Sequence, residues 1–390
     1  MLNFRNELEV ELFQHIIPFW KNLKDEIFGG YYGYMNFDLQ IDKNYDKGCI
    51  LNSRILWFFS NAFLQYGDKE LLSYADWAYY FFVNHCLDRE YGGVYWSVTY
   101  DGKISDSTKY TYNHAFAVYA LSSYYDATKN GKVIDLALEL FHLIENACVD
   151  EYGYLESFTR EWNFEPNDKL SENGLLADKT MNTLLHLLEA YTELYRVSRN
   201  EEVKQALEKI LFLFKKKVYN QKTHRLEVFF DQKMNSISDL YSFGHDIEAT
   251  WLLDRACDVL GDEKITAETR EYTTQIVREV YENALDNGSM NNESFNGVVD
   301  DTKVWWIQAE AMVGFINSYQ RTGEKRFFDT ALEIWDYIKR YMIDKREGSE
   351  WFWDLNREGE PESKKPIVEP WKCPYHNGRM CLEITRRLKI

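Results

Sequence analysis

The apolar positions of this chain fall at helical spacing almost throughout. Residues 5–22 carry Leu8, Leu12, Phe13, Ile16, Phe19 and Trp20 as one stripe. The same pattern predicts helices from about Leu51, over 70–84, 111–126, 133–147, 178–196, 201–216, 242–260 and 264–283, and from about Thr302, Arg326 and Tyr375. Between them recur aromatic–glycine stretches suited to short hairpins. These are Gly29-Gly30-Tyr31-Tyr32-Gly33-Tyr34, Tyr91-Gly92-Gly93-Val94-Tyr95-Trp96, Tyr152-Gly153-Tyr154-Leu155 and Gly348-Ser349-Glu350-Trp351-Phe352-Trp353.

Two kinds of helix alternate. Those at 133–147, 201–216 and from Arg326 keep one clear polar face, as outer helices should. Those at 111–126, 178–196, 242–260 and from Thr302 are apolar nearly all round, as buried inner helices should be. Twelve helices in six hairpins, with no linker or low-complexity stretch, predict one all-α domain over 1–390.

The polar exceptions to this pattern are themselves periodic. Arg54, His114, His186, Glu248, Glu310 and His376 each fall in the first turns of an inner helix, 60 to 72 residues apart. A repeat of that length means stacked supersecondary units. Six helical hairpins can close into an (α/α)6 barrel, which would bring these six residues to one end of the inner ring and so to one concave pocket. An open superhelix is the alternative, and it would strand them along a groove.

Composition narrows the class. With 390 residues and 45% hydrophobic content the chain can bury a large core, and its net charge of -18 argues against nucleic acid and anionic membrane as partners. The N-terminal MLNFRNELEVELF has no apolar signal region, and Thr111–Tyr125 is too short and too polar to span a bilayer. Six cysteines without a CxxC pair read as reduced thiols in a cytoplasmic protein. No exposed apolar helix face stands out, so a monomer is expected.

The pocket would gather His114, His186, His245 and His376, half of the eight histidines. A buried neutral histidine is the usual general acid or base near pH 7. His245 and Glu248 are three apart and share a helix face, although a satisfied core pair is the plainer reading of that segment alone. Inner-helix starts add Tyr112, Asn113, Asn182, Trp305, Trp306 and Glu310, and the C-terminal segment adds Trp371. Aromatic faces among amides and carboxylates suit a sugar.

The motifs NSRILW around Arg54, DKTMNTLLHLLEAY around Asn182 and His186, GHDIEATWLL, WWIQAEA and WKCPYHNGRM together resemble the cellobiose 2-epimerases of the N-acylglucosamine 2-epimerase superfamily. The resemblance spans essentially the whole chain. It implies the (α/α)6 barrel and a cofactor-free epimerisation at C2 of the reducing-end glucose of a disaccharide. It further implies His245 and His376 as the two bases and Arg54 beside the carbonyl oxygen. Glu248 would orient His245 and raise its basicity, and His186 would assist ring opening or hold a hydroxyl. Trp306, Glu310, Tyr112, Asn182 and Trp371 would bind sugar. The loops near 286–300 and 355–368 lie outside these motifs and bear on the disaccharide subsite.

Several other chemistries use the same residues. His245, Glu248 and His376 could ligate a metal. Glu248 and Glu310 could serve an inverting glycoside hydrolase. An aldose–ketose isomerase shares the enediolate, an N-acylglucosamine 2-epimerase shares the fold, and a helical scaffold would need none of these groups.

Overall fold

Residues 2–170 and 175–388 are described by a computed structural model. Its helices are α1 (Leu2–Glu11), α2 (Ile17–Asn22), α3 (Cys49–Tyr66), α4 (Lys69–Phe81), α5 (Thr111–Thr128), α6 (Gly131–Ala147) and α7 (Met181–Ser198). They continue as α8 (Glu201–Leu213), α9 (Phe243–Leu260), α10 (Glu263–Asn283), α11 (Trp305–Thr322), α12 (Lys325–Tyr337) and α13 (His376–Arg387). A π-helical turn at Leu12–Ile16 joins α1 to α2, so the two form one rod. Similar turns extend α4, α8 and α12 through Phe82–Cys86, Phe214–Val218 and Ile338–Met342.

The odd-numbered helices from α3 to α13 form the inner ring. Each packs on the next, and α13 returns to α3, so the ring closes. Five outer helices lie against their inner partners, α4 on α3 through α12 on α11, while α1 lies against α13. This is the (α/α)6 barrel that the spacing implies. The inner helices are buried on nearly every side in their first two-thirds; α5, for example, has Thr111 through Tyr124 buried without a break. No helix among the described residues is long and apolar enough to cross a membrane.

Two inner helices begin later than the hydrophobic pattern suggests, α7 at Met181 rather than 178 and α11 at Trp305 rather than 302. A short strand precedes each: Lys179–Thr180 pairs with Phe229–Phe230, and Lys303–Val304 pairs with Asp354–Leu355. The lysines of these strands are buried and staple the hairpins to the ring. Lys47 Nζ lies 2.6 Å from Asp25, Lys109 Nζ 2.9 Å from Asp88, Lys179 Nζ 2.5 Å from Asp150 and Lys303 Nζ 3.2 Å from Asp286. Lys372 does the same with Glu350 at 2.7 Å. In the first three hairpins the aspartate also accepts turn amides, as Asp88 does from Glu90 and Tyr91. Each pair therefore satisfies a buried charge and a turn together.

Glycines set how closely the inner helices approach. A Cβ on Gly314 of α11 would lie 2.8 Å from the carbonyl oxygen of Ile247 on α9, and one on Gly378 of α13 would lie 2.4 Å from the Phe58 ring on α3. The second contact is where the ring closes. Gly378→Ala should therefore cost about 1–3 kcal/mol, the usual penalty for overpacking a filled core. Gly131→Ala, at an open site on α6, should leave stability nearly unchanged. Urea denaturation of both variants measures the difference.

Candidate active site

Depth along the inner helices decides which side chains meet. Arg54, His186, Glu248 and Glu310 are each the sixth residue of helices that begin at Cys49, Met181, Phe243 and Trp305. Equal depth brings all four to one level of the ring. His114 is only the fourth residue of α5, and Phe116 takes the sixth position. Two residues are about 200° of helical rotation, so His114 points elsewhere. Its Nδ1 donates to the Tyr110 carbonyl at 2.7 Å and its Nε2 accepts the Val94 amide at 2.8 Å. Burial lowers it to about 3. It is a neutral histidine that holds a hairpin, which corrects its expected place in the pocket.

Asn113 likewise turns away, donating to the Tyr95 carbonyl at 2.8 Å. The remaining residues expected there do converge, on a cavity of about 270 Å³. Arg54, Tyr112, Asn182, His186, His245, Glu248, Trp306, Trp371 and His376 all line it. Lys169, Leu170, Trp305 and Trp353 complete the wall. Glu310 sits behind His376 rather than in the wall.

At the base of the cavity lies the fully buried Arg379 of α13. Its guanidinium bonds Glu189 of α7, Glu248 of α9 and the Tyr375 hydroxyl, and lies 2.7 Å from Glu310 of α11. Tyr375 in turn donates to Glu189. Burial alone would raise Glu189, but Arg379 and the bonds from His186 and Tyr375 outweigh it and hold it near 2. Glu248, with only a share of the guanidinium and with Glu310 beside it, is pushed well above 4.5 by burial. Its Oε2 has no partner among the described residues.

Each pocket histidine is held through Nδ1, which leaves Nε2 for a substrate. His186 meets Glu189 at 3.1 Å, His376 meets Glu310 at 2.7 Å and His245 meets the Ser242 hydroxyl at 2.7 Å. The family resemblance implies that Glu248 orients His245; the structure instead pairs His245 with Ser242. His186 and Glu189 have the same three-residue spacing and do bond. The difference lies in the competing partners: Glu248 gives its Oε1 to Arg379, and Ser242, just ahead of α9, takes the Nδ1 of His245. Burial lowers His245 to about 3. Burial, with Arg379 and Arg54 nearby, holds His376 well below 6.5. Burial thus favours the neutral form of both rings.

His245 and His376 both pack on the Trp306 indole, with ring centroids 4.8 and 5.4 Å away. Arg54 Nη2 donates to the Tyr112 hydroxyl at 2.8 Å and its Nη1 to the Trp371 carbonyl at 3.1 Å, which fixes a cation at the cavity wall. Trp371 also touches Tyr112 and Trp96, at 5.7 and 5.5 Å between centroids.

Glu248, Glu310 and His376 bring ligand atoms within 4.8 Å of one another, the geometry of a metal cluster. Arg379 already bonds both carboxylates, so the cation they require is built into the chain. Nor do the two carboxylates suit an inverting hydrolase. Glu310 commits one oxygen to His376 and Arg379 and the other to the Trp251 indole N–H, which leaves none to flank a scissile bond.

Arg379, Glu189, Tyr375 and Ser242 escaped the sequence reading. Arg379 had a signal, since it lies three residues after His376 and is followed by Met380, Cys381 and Leu382. Glu189 had one too, as the partner of His186 at i+3.

With histidines and aromatic walls at one mouth of an (α/α)6 barrel, the chain falls in the class of carbohydrate epimerases. The chain belongs to the N-acylglucosamine 2-epimerase (GlcNAc 2-epimerase) family, whose pattern it matches over residues 30–377. Cellobiose 2-epimerase of Ruminococcus albus is 52% identical over 382 residues, covering 98% of each chain. That of Dictyoglomus turgidum is 46% identical over 98% of this chain and 99% of its own. The crystal structure of a sugar epimerase from a ruminal bacterium superposes with a TM-score of 0.98 at 51% identity, over 99% of this chain and 100% of the other.

Removing the central cation should be severe. Arg379→Met strands three buried carboxylates and should cost about 3–5 kcal/mol, as breaking a buried ion pair from one side does. A shift of that size in the urea-denaturation free energy is expected, and one under about 1 kcal/mol would mean that the cluster relaxes to water.

Proposed function

We propose that this protein inverts C2 of the reducing-end glucose of cellobiose and related β-1,4 disaccharides, giving the mannose epimer. One observation carries the reading: two histidines from different helices, His245 and His376, pack on the same Trp306 indole beside the fixed cation Arg54. The relatives at 46–52% identity named cellobiose 2-epimerase support the choice of sugar.

The reaction needs no redox change. The glucose ring opens, with His186 at the cavity wall as the assisting group and Glu248, whose Oε2 is free, as a hydroxyl partner. One histidine takes the C2 proton through Nε2. The electron pair left on C2 delocalises onto the aldehyde oxygen as a cis-enediolate, and Arg54 stabilises the developing negative charge. The other histidine, which enters the step with a second proton on Nε2, gives that proton to C2 from the opposite face, so the two rings exchange protonation states over one turnover. Trp306 and Trp371 offer stacking faces, and Tyr112 and Asn182 bind hydroxyls. Glu310, behind His376, acts as its orienting carboxylate in place of the sugar contact read from sequence. The whole chain acts as one metal-independent, monomeric catalytic domain in the cytoplasm.

Incubation with cellobiose in deuterated buffer containing EDTA should yield glucosyl-mannose with deuterium at C2, identified by NMR. Free glucose would instead indicate a hydrolase, and a ketose product an aldose–ketose isomerase. Chelator-dependent loss of activity that a divalent ion restores would indicate a metal enzyme.

The two bases should also separate. His245→Ala and His376→Ala should each lose roughly 100-fold or more in turnover, as positioned acid–base groups do. One variant should still exchange the C2 proton of the glucose epimer with solvent, and the other that of the mannose epimer. Near-parental turnover in either, with an unchanged circular dichroism spectrum, would remove that histidine from the pair.

A further inference from the structure

Ser242 is the residue before α9 and ends the strand Leu240–Ser242, with extended backbone angles of φ -88 and ψ 99. A serine at this position normally caps the helix by accepting an amide of the first turn. Thr180, in the equivalent place before α7, does so from the Thr183 amide at 3.1 Å. Ser242 makes no such bond. Its hydroxyl is turned instead to His245 Nδ1 at 2.7 Å. The residue is 5% exposed, and its backbone is fixed by pairing with Glu293 on the neighbouring strand.

The contrast with the other two pocket histidines is chemical. Glu189 and Glu310 present carboxylates to His186 and His376, while His245 alone among the three has an uncharged partner. A hydroxyl can accept the Nδ1 proton without adding a counter-charge beside the ring.

We infer that Ser242 is a positioning residue for His245: it accepts Nδ1–H, turns the Nε2 lone pair into the cavity, and leaves the protonated ring without a counter-ion so that the proton passes on readily. This deepens the epimerase reading above and rests on it for its kinetic test.

Three variants test it. Ser242→Ala should lower kcat roughly 10- to 100-fold, the usual loss when a histidine's orienting partner is removed, with KM changed little. Ser242→Thr keeps the hydroxyl and should restore kcat to within about threefold of the parent. Ser242→Asp supplies the missing charge and should raise the basicity of His245. In the direction where His245 is the base, the acid limb of kcat should then move up by about one pH unit, the free-energy scale of one added charge interaction. In the reverse direction the alkaline limb should move up instead. A structural cap would move neither limb.

Histidine ¹⁵N chemical shifts of the substrate-free protein give a readout independent of activity. The parent should show His245 protonated at Nδ1, and Ser242→Ala should lose that preference. A parent inactive on cellobiose but with this tautomer would overturn the epimerase reading and keep the inference. An Ala variant with parental kcat, or with an unchanged His245 tautomer, would overturn the inference whatever the substrate.

Discussion

Everything at the site is arranged around one buried cation. Arg379 is inaccessible to water, and it satisfies carboxylates delivered by three different inner helices. A guanidinium can do this because its donors are fixed in a planar fork, where a lysine would offer a single point. The arrangement exacts a close register between α7, α9, α11 and α13. Any helix that slid along the ring would strand a charge in a medium that does not solvate it. The histidines inherit that register, since His186 is held by Glu189 and His376 by Glu310, both of which bond Arg379. The cation that fixes the scaffold also helps to keep His376 neutral. Arg379 therefore contributes both to the rigidity of the site and, after burial, to the lowered basicity of His376.

Much of this was legible in the sequence because the barrel is periodic. Inner helices of 18 residues from α3 to α11, joined by similar hairpins, bring residues of equal depth to one level, so spacings of 60 to 72 residues announced the ring. What the spacing did not carry was rotation. His114 matched the period but sits two residues short of the level of Arg54, His186, Glu248 and Glu310, which turns it to a hairpin. The assignment of Glu248 to His245 failed for another reason: three-residue spacing permits a bond but does not show the competitors, and Arg379 takes the Glu248 carboxyl while Ser242 takes His245. Hydrogen-bond partners across the barrel, such as Trp251 with Glu310, are 59 residues apart and leave no local signal. The short strands that delay the inner helices were hidden as well, because two residues are too few to show an alternating pattern.

The fourth repeat breaks the pattern of staples, and it is the repeat that carries His245. Elsewhere a buried lysine just before the inner helix ties it to an acidic residue of its hairpin. Here Tyr241 takes the place of the lysine, under the Arg225 guanidinium at 4.1 Å. The strand is one residue longer than the others and pairs along Glu293–Phe295 within a three-stranded sheet. Main-chain pairing, not a salt link, thus fixes the approach to α9. The strand supplies here the rigidity that the staple gives elsewhere. The serine that ends this strand can then spend its hydroxyl on the histidine, because its backbone is already held.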